Sequence, residues 1–228
     1  MENKRKANGA LITACVLFVL FAAYTIAVRF VDRAAIGPEG SEVGFAKLNG
    51  AFADLVGVNM TWYKITQLLG YLALAVCVCF ACVGVAQLIK RGSLKKVDSE
   101  IYILGGFYIV VIAFYALFEV LAVNYRPVIL KEGLEASYPS SHTVLAVCVF
   151  LTAAYEIRRL LPGRKAVGLA ADVISVVLVL VTVLGRAASG VHWLTDIAGA
   201  CILSAALVSL YRAAVLFISA KRSPAAEE

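Results

Sequence analysis

Apolar residues in this chain come in long runs, near residues 9–29, 62–89, 101–123, 142–161, 166–184 and 193–218. A helix crosses the hydrocarbon core of a bilayer with roughly 20 apolar residues, so the pattern predicts six transmembrane helices in a bundle. The fifth run is the shortest. Residues 30–61 behave differently. Turn formers at Gly37-Pro38-Glu39-Gly40 are followed by Phe45, Leu48, Phe52, Leu55 and Val56 at helical spacing, with Lys47, Asn49 and Asp54 between them. That periodicity predicts an amphipathic helix at the outer interface of the membrane. A plain packing helix is the expectation, with a lid or lipid-entry element as the alternative. No internal repeat or linker divides the chain, so residues 1–228 read as a single all-α, polytopic membrane domain.

Composition supports the membrane reading. Hydrophobic residues make up 62% of the chain and charged residues 16%, whereas soluble domains are about half apolar and a quarter charged. The formal net charge of +6 is spread in short clusters between the apolar runs, which points away from nucleic acid as a partner and towards topology. Lys4, Arg5 and Lys6 precede the first run, and Lys90, Arg91, Lys95 and Lys96 follow the second. Arg158, Arg159, Arg164 and Lys165 follow the fourth, and Lys221 and Arg222 close the last. Excess Lys and Arg marks the cytoplasmic side. Both termini are therefore expected inside, and the first, third and fifth connections outside. The apolar stretch after Lys6 lacks a cleavage-type motif and reads as a signal anchor. With no organelle signal or long soluble extension, a bacterial plasma membrane is expected. All six cysteines lie inside apolar runs; Cys77, Cys79 and Cys82 read as small packing residues, because no histidine or carboxylate accompanies them as a metal ligand.

Topology brings together the only two histidines. His142 closes Tyr138-Pro139-Ser140-Ser141-His142 in the third connection, where Arg126-Pro127 also lies, and His192 follows Arg186 in the fifth. Both segments face the same side. Histidine exchanges protons near neutral pH and can act as a nucleophile. Asp196, four residues after His192, shares its helix face and can hydrogen-bond one ring nitrogen while the other stays free. A carboxylate at membrane depth is costly and marks function, although helix capping or a structural arginine pair would also account for it. Arg126 and Arg186 could converge on a phosphate. Ser140, Ser141 and Thr143 either cap the fourth run's helix or hold an anion at its positive end.

These strings together resemble the type 2 phosphatidic acid phosphatase family. That family's pattern has a lysine six residues before Arg-Pro, then Pro-Ser-Gly-His, then Ser-Arg with five residues before His and three more before Asp. Arg126-Pro127, Pro139-Ser140-Ser141-His142 and Arg186…His192…Asp196 follow its order, and the six-span layout extends over nearly the whole chain. The resemblance implies phosphoryl transfer without a metal or other cofactor. His192 would attack phosphorus to form a phosphohistidine, with Asp196 orienting it. His142 would protonate the leaving group and then activate water. Arg126, Arg186, Ser140 and the amide of Ser141 would hold the phosphoryl oxygens. Three positions depart from the pattern: Glu119 stands where the lysine is expected, Gly185 replaces the serine, and Ser141 replaces the glycine. Glu119 is expected to pair with Arg126 or Lys131; alternatively Lys131 supplies the missing cation. The resulting expectation is a lipid phosphatase or pyrophosphatase at the outer leaflet, acting on a phosphorylated membrane lipid. A non-catalytic lipid-binding or lipid-flipping protein is the alternative. A solute transporter fits less well, because its ionisable residues belong near the bilayer midplane rather than at one face.

Overall fold

The computed structural model describes residues 2–222, which hold seven α-helices and no β-strand beyond two isolated bridges. They are α1 (Glu2–Phe30), α2 (Ala46–Val56), α3 (Met60–Arg91), α4 (Ser99–Leu121), α5 (Ser141–Leu160), α6 (Lys165–Ala188) and α7 (Leu194–Arg222). The Arg222 side chain lies outside what is described. Local chemistry sets several ends. Asn59 caps α3 by accepting from the amides of Thr61 and Trp62 at 3.1 and 3.2 Å, which satisfies donors that a helix start leaves open. Gly92, at φ 67°, closes the same helix in the left-handed conformation that glycine adopts without strain.

Five helices, α1, α3, α4, α6 and α7, are long and apolar enough to cross a membrane. The fourth expected span differs in kind. α5 carries Ser141, His142, Thr143, Thr152, Glu156, Arg158 and Arg159 in 20 residues, so its composition alone is less apolar than the others. It packs against α3, α4, α6 and α7, and these neighbours shield it; Thr143, Thr152 and Glu156 are all buried. Four of the apolar helices, α1, α3, α4 and α6, instead turn hydrocarbon outward, with Val19, Val78, Ile109 and Leu184 at more than 60% exposure, whereas α7 lies inside the bundle with Leu203, Leu207 and Val215 buried. Two of the three clustered cysteines, Cys79 and Cys82, also face outward, so they are not core packing residues; Cys148 of α5 is the buried one.

Helices α1 and α7 form the most extensive pairing and run antiparallel, since Tyr24 near the end of α1 reaches the Thr195 carbonyl at the start of α7. The chain therefore gathers the ends of α1, α4 and α6 and the starts of α3, α5 and α7 at one end of the bundle. Lys90, Arg91, Arg158 and Arg159 lie at the other.

Helix α2 forms where the periodicity predicts. Its buried residues are Ala46 and Asn49, while Leu48 and Leu55 are 50% and 84% exposed. Phe45, just before the helix, stacks on Tyr24 at 6.5 Å and packs against the core, and Phe52 and Val56 are partly buried. The apolar positions are therefore divided between the bundle and the exposed surface, while Asn49 makes a polar inward contact.

Candidate active site

The site is assembled from four segments at that end of the bundle. Tyr138 anchors the one leading into α5: it is 1% exposed, stacks on Phe21 at 6.2 Å, and shares a 2.8 Å hydrogen bond with Thr25. Room for its ring exists because residue 199 is glycine; a Cβ there would lie 2.7 Å from the Tyr138 hydroxyl. The link between α6 and α7, which carries His192, is pinned from outside. Gly190, at φ 64°, meets the Gly57 carbonyl so closely that a Cβ would fall 1.8 Å from it, and the Asn59 amide donates to the Ser189 carbonyl at 3.0 Å.

His192 is 2% exposed and lies at the centre. Its Nε2 is 3.1 Å from Arg126 Nη1 and 2.9 Å from Arg186 Nη2. Guanidinium nitrogens only donate, so Nε2 must present its lone pair and the ring proton belongs on Nδ1. Asp196 Oδ2 is 3.5 Å from Nδ1, an electrostatic contact short of a directed hydrogen bond. Burial first, and then the Arg186 and Arg126 charges, hold the proton affinity of His192 well below that of an ordinary histidine. The imidazole is therefore neutral at physiological pH.

Two guanidinium groups bonded to one nitrogen lie within about 6 Å of each other, which costs about 3 kcal/mol of repulsion at an effective dielectric of 20. Each is offset locally. Arg186, fully buried, donates to Thr66 Oγ1 at 3.3 Å and lies 5.4 Å from the Tyr63 ring centroid. Arg126 Nε lies 3.0 Å from Glu135 Oε2, and Arg126 Nη1 donates to the Val191 carbonyl at 3.4 Å. An anion between the two guanidinium groups would relieve the remaining repulsion.

Asp196 is fully buried in the first turn of α7. Its Oδ2 accepts from the Trp193 amide at 3.0 Å and its Oδ1 from Asn124 Nδ2 at 3.3 Å. The first bond is the carboxylate half of a capping box, so the capping and histidine-facing readings hold together. Ser140 occupies the N-cap position of α5, yet its side chain caps nothing there; its hydroxyl accepts from Thr143 at 3.1 Å and its amide donates to the Asp196 carbonyl at 3.1 Å. The first-turn amides of α5, including that of Ser141, are thus left without a side-chain cap.

His142 lies against α3, where Gly70 leaves space: a Cβ on Gly70 would be 2.8 Å from His142 Cδ2. His142 Nδ1 is buried without a partner. Two cavities meet at this residue. A polar chamber of about 550 Å³ is lined by Tyr63, Arg126, Lys131, Glu135, Ser141 and His142, among others. An apolar groove of about 380 Å³ runs between α3, α4 and α5 past Leu74, Val111, Phe114 and Leu145. Gln67, Tyr115, Glu119, Ser141 and His142 border both. His192 and Arg186 do not line the chamber, but each touches a residue that does, Arg126 and Tyr63 respectively.

Most expected site residues are therefore neighbours, and two are not placed as expected. Pro127 lines neither cavity; lacking an amide proton, it follows the short pairing of Tyr125 with Ala136. The carboxylate that faces Arg126 and Lys131 is Glu135, at 3.0 and 3.7 Å, and not Glu119, whose neighbour is Tyr115 one turn earlier. The antiparallel bridge of Tyr125 with Ala136 brings Glu135 beside Arg126, nine residues away in sequence. Glu135, Asn124, Thr66 and Tyr63 are absent from the sequence reading. The Gly185 departure has a steric cause: a Cβ at this position would lie 2.7 Å from Thr66 Cγ2 and 2.9 Å from Trp62 Cε3.

A family model described as the PAP2 superfamily matches residues 9–218. Among solved structures, the chain is similar to the crystal structure of the first transmembrane PAP2 type phosphatidylglycerolphosphate phosphatase from Bacillus subtilis. The two share 17% sequence identity at a TM-score of 0.59, over 94% of this chain and 99% of that one. No curated protein matches the chain by sequence.

Proposed function

Because this chain belongs to the PAP2 superfamily, we propose that it is an integral membrane phosphatase that hydrolyses a lipid phosphate or lipid pyrophosphate through a phosphohistidine. The observation that carries the reading is His192 Nε2 held between Arg126 and Arg186 at 3.1 and 2.9 Å. A neutral imidazole with its lone pair at the focus of two guanidinium groups is a nucleophile already at an anion site. As substrate enters, the two arginines exchange Nε2 for phosphoryl oxygens. Nε2 attacks phosphorus as the bond to the leaving oxygen breaks. The proton stays on Nδ1, where Asp196 stabilises the positive ring. His142 donates a proton to the leaving oxygen and then takes one from the water that cleaves the phosphorus–nitrogen bond. Ser140 and the Ser141 amide add donors at the positive end of α5. The guanidinium groups supply charge stabilisation that phosphoryl transfer requires, so no metal or cofactor is invoked.

The lipid assignment rests on the two cavities. His142 lies at the border of the polar chamber and the apolar groove, so an ester oxygen beside it has phosphate on one side and hydrocarbon on the other. In this reading α5 is the sixth span, shielded by α3, α4, α6 and α7. The exposed leucines of α2 rest in the outer interface, both termini are cytoplasmic, and the site faces the outer leaflet of a bacterial plasma membrane. The distribution of basic residues supports that orientation.

Phosphate release from detergent-dispersed short-chain phosphatidate, phosphatidylglycerol phosphate and prenyl pyrophosphate, with and without EDTA, tests the reading. The expected result is turnover of at least one substrate that survives EDTA and falls roughly a thousandfold or more in His192→Ala. A wild type inert on all three would favour the non-catalytic lipid-binding alternative.

A further inference from the structure

We infer that Asn124 is a positioning residue: it holds the Asp196 carboxylate against His192 and ties it to the connection between α1 and α3. The inference rests on the hydrolase reading above. Asn124 is fully buried just beyond α4, two residues before Arg126. Its Oδ1 accepts from the Gly44 amide at 3.3 Å, and its Nδ2 donates to Asp196 Oδ1 at 3.3 Å. An amide proton can be met only by an acceptor, so the Gly44 bond fixes the flip of the carboxamide and turns its NH2 towards the carboxylate. The Asn124 carbonyl accepts from the Ser137 amide at 2.9 Å and the Ser137 hydroxyl at 3.1 Å. Thus one residue joins the first connection, the segment leading to His142, and the first turn of α7.

The consequence for Asp196 follows from its bonds. Trp193 holds one oxygen and Asn124 the other. A carboxylate gripped at both oxygens has a single orientation, and this one leaves Oδ2 towards His192 Nδ1. Without Asn124, Oδ1 would lose a donor inside the protein, and the carboxylate would turn towards the Ser137 side chain, its other polar neighbour.

Gly44 is itself held firmly enough to act as an anchor. Its carbonyl accepts from Asn49 Nδ2 at 2.7 Å. A Cβ on it would fall 1.7 Å from the Val28 carbonyl oxygen, so the backbone is pressed onto the end of α1. Asn49 is also fully buried; it donates to Thr195 Oγ1 at 2.9 Å and accepts from the Thr195 amide at 3.2 Å. The first connection therefore grips α7 at two consecutive residues, Thr195 through Asn49 and Asp196 through Asn124.

A double-mutant cycle tests this. Asn124→Ala is expected to lower kcat at least tenfold with KM within about twofold, because binding groups stay in place while the nucleophile loses its orientation. In an Asp196→Asn background the same change is expected to cost less than threefold, because a residue acting through Asp196 has nothing further to remove. Asn124→Asp, equal in size but presenting an oxygen where Asp196 needs a donor, replaces the alanine variant if that one does not fold in detergent. Losses that multiply in the double mutant would overturn the inference, as would a folded variant with wild-type kcat. If neither variant folds, Asn124 serves folding alone and the inference is wrong. An inert wild type would overturn the hydrolase reading and this inference with it; an active wild type with additive losses overturns only the inference.

Discussion

At the scale of single residues, the histidines are distinguished by what surrounds them rather than by position in sequence. His192 is enclosed, with donors on one ring nitrogen and a carboxylate near the other. His142 lies at a boundary and has an unpartnered nitrogen. That contrast fits a fixed nucleophile and a mobile acid, and it makes Gly70 a sensitive position. Gly70→Ala would put a methyl group 2.8 Å from His142 Cδ2. The imidazole is the free end of a side chain and can swing aside, so the fold should tolerate the change while the acid is displaced. We expect kcat to fall at least tenfold with the melting temperature in detergent nearly unchanged; wild-type kcat would show that His142 need not sit there. The residues that the proposed chemistry uses were legible, since the two histidines, two arginines and Asp196 lie in short local strings. Their supports were not. Asn124 meets Asp196 across 72 positions and Gly44 across 80, and Asn49 meets Thr195 across 146. Nothing local in a sequence marks such a pairing. The expected pairing of Glu119 failed for a related reason: the nearness of Glu135 to Arg126 depends on a backbone bridge that no helical period predicts.

At the scale of elements, hydropathy located the long helices closely, because one strong requirement, about 20 apolar residues, governs each lipid-facing span. It described α5 less well, since a helix shielded by its neighbours answers to packing and polar contacts. It found α2 but not the inward contact of Asn49, a polar residue whose partners are Gly44 in the preceding connection and Thr195 of α7. Close approach of helices also explains a departure from the family pattern. Gly185 of α6 lies against Trp62 and Thr66 of α3, and Thr66 in turn supports Arg186. Gly185→Ser would restore the family residue but force its Cβ into those side chains. We expect a loss of about 1–3 kcal/mol from overpacking, read as a lower melting temperature, together with a raised KM as Arg186 loses its support. A serine variant at least as stable as wild type would mean that α3 and α6 can separate without cost.

At the scale of the whole molecule, the polar machinery is confined to one end of the bundle, and the long apolar surfaces are left to the lipid. The antiparallel run of α1 and α7 brings the first connection over His192, and the α3–α4–α5 groove opens beside His142. A phosphate attached to hydrocarbon fits that arrangement, because its two halves have separate places that meet at His142. The central claim is that His192 becomes phosphorylated during turnover. It is tested most directly by quenching the detergent-purified protein during turnover of a radiolabelled lipid phosphate. A label that survives alkali, is lost in acid, maps to the peptide containing His192 and is absent from His192→Ala is the predicted result. Steady turnover with no protein-bound label, or with the label undiminished in His192→Ala, would contradict it.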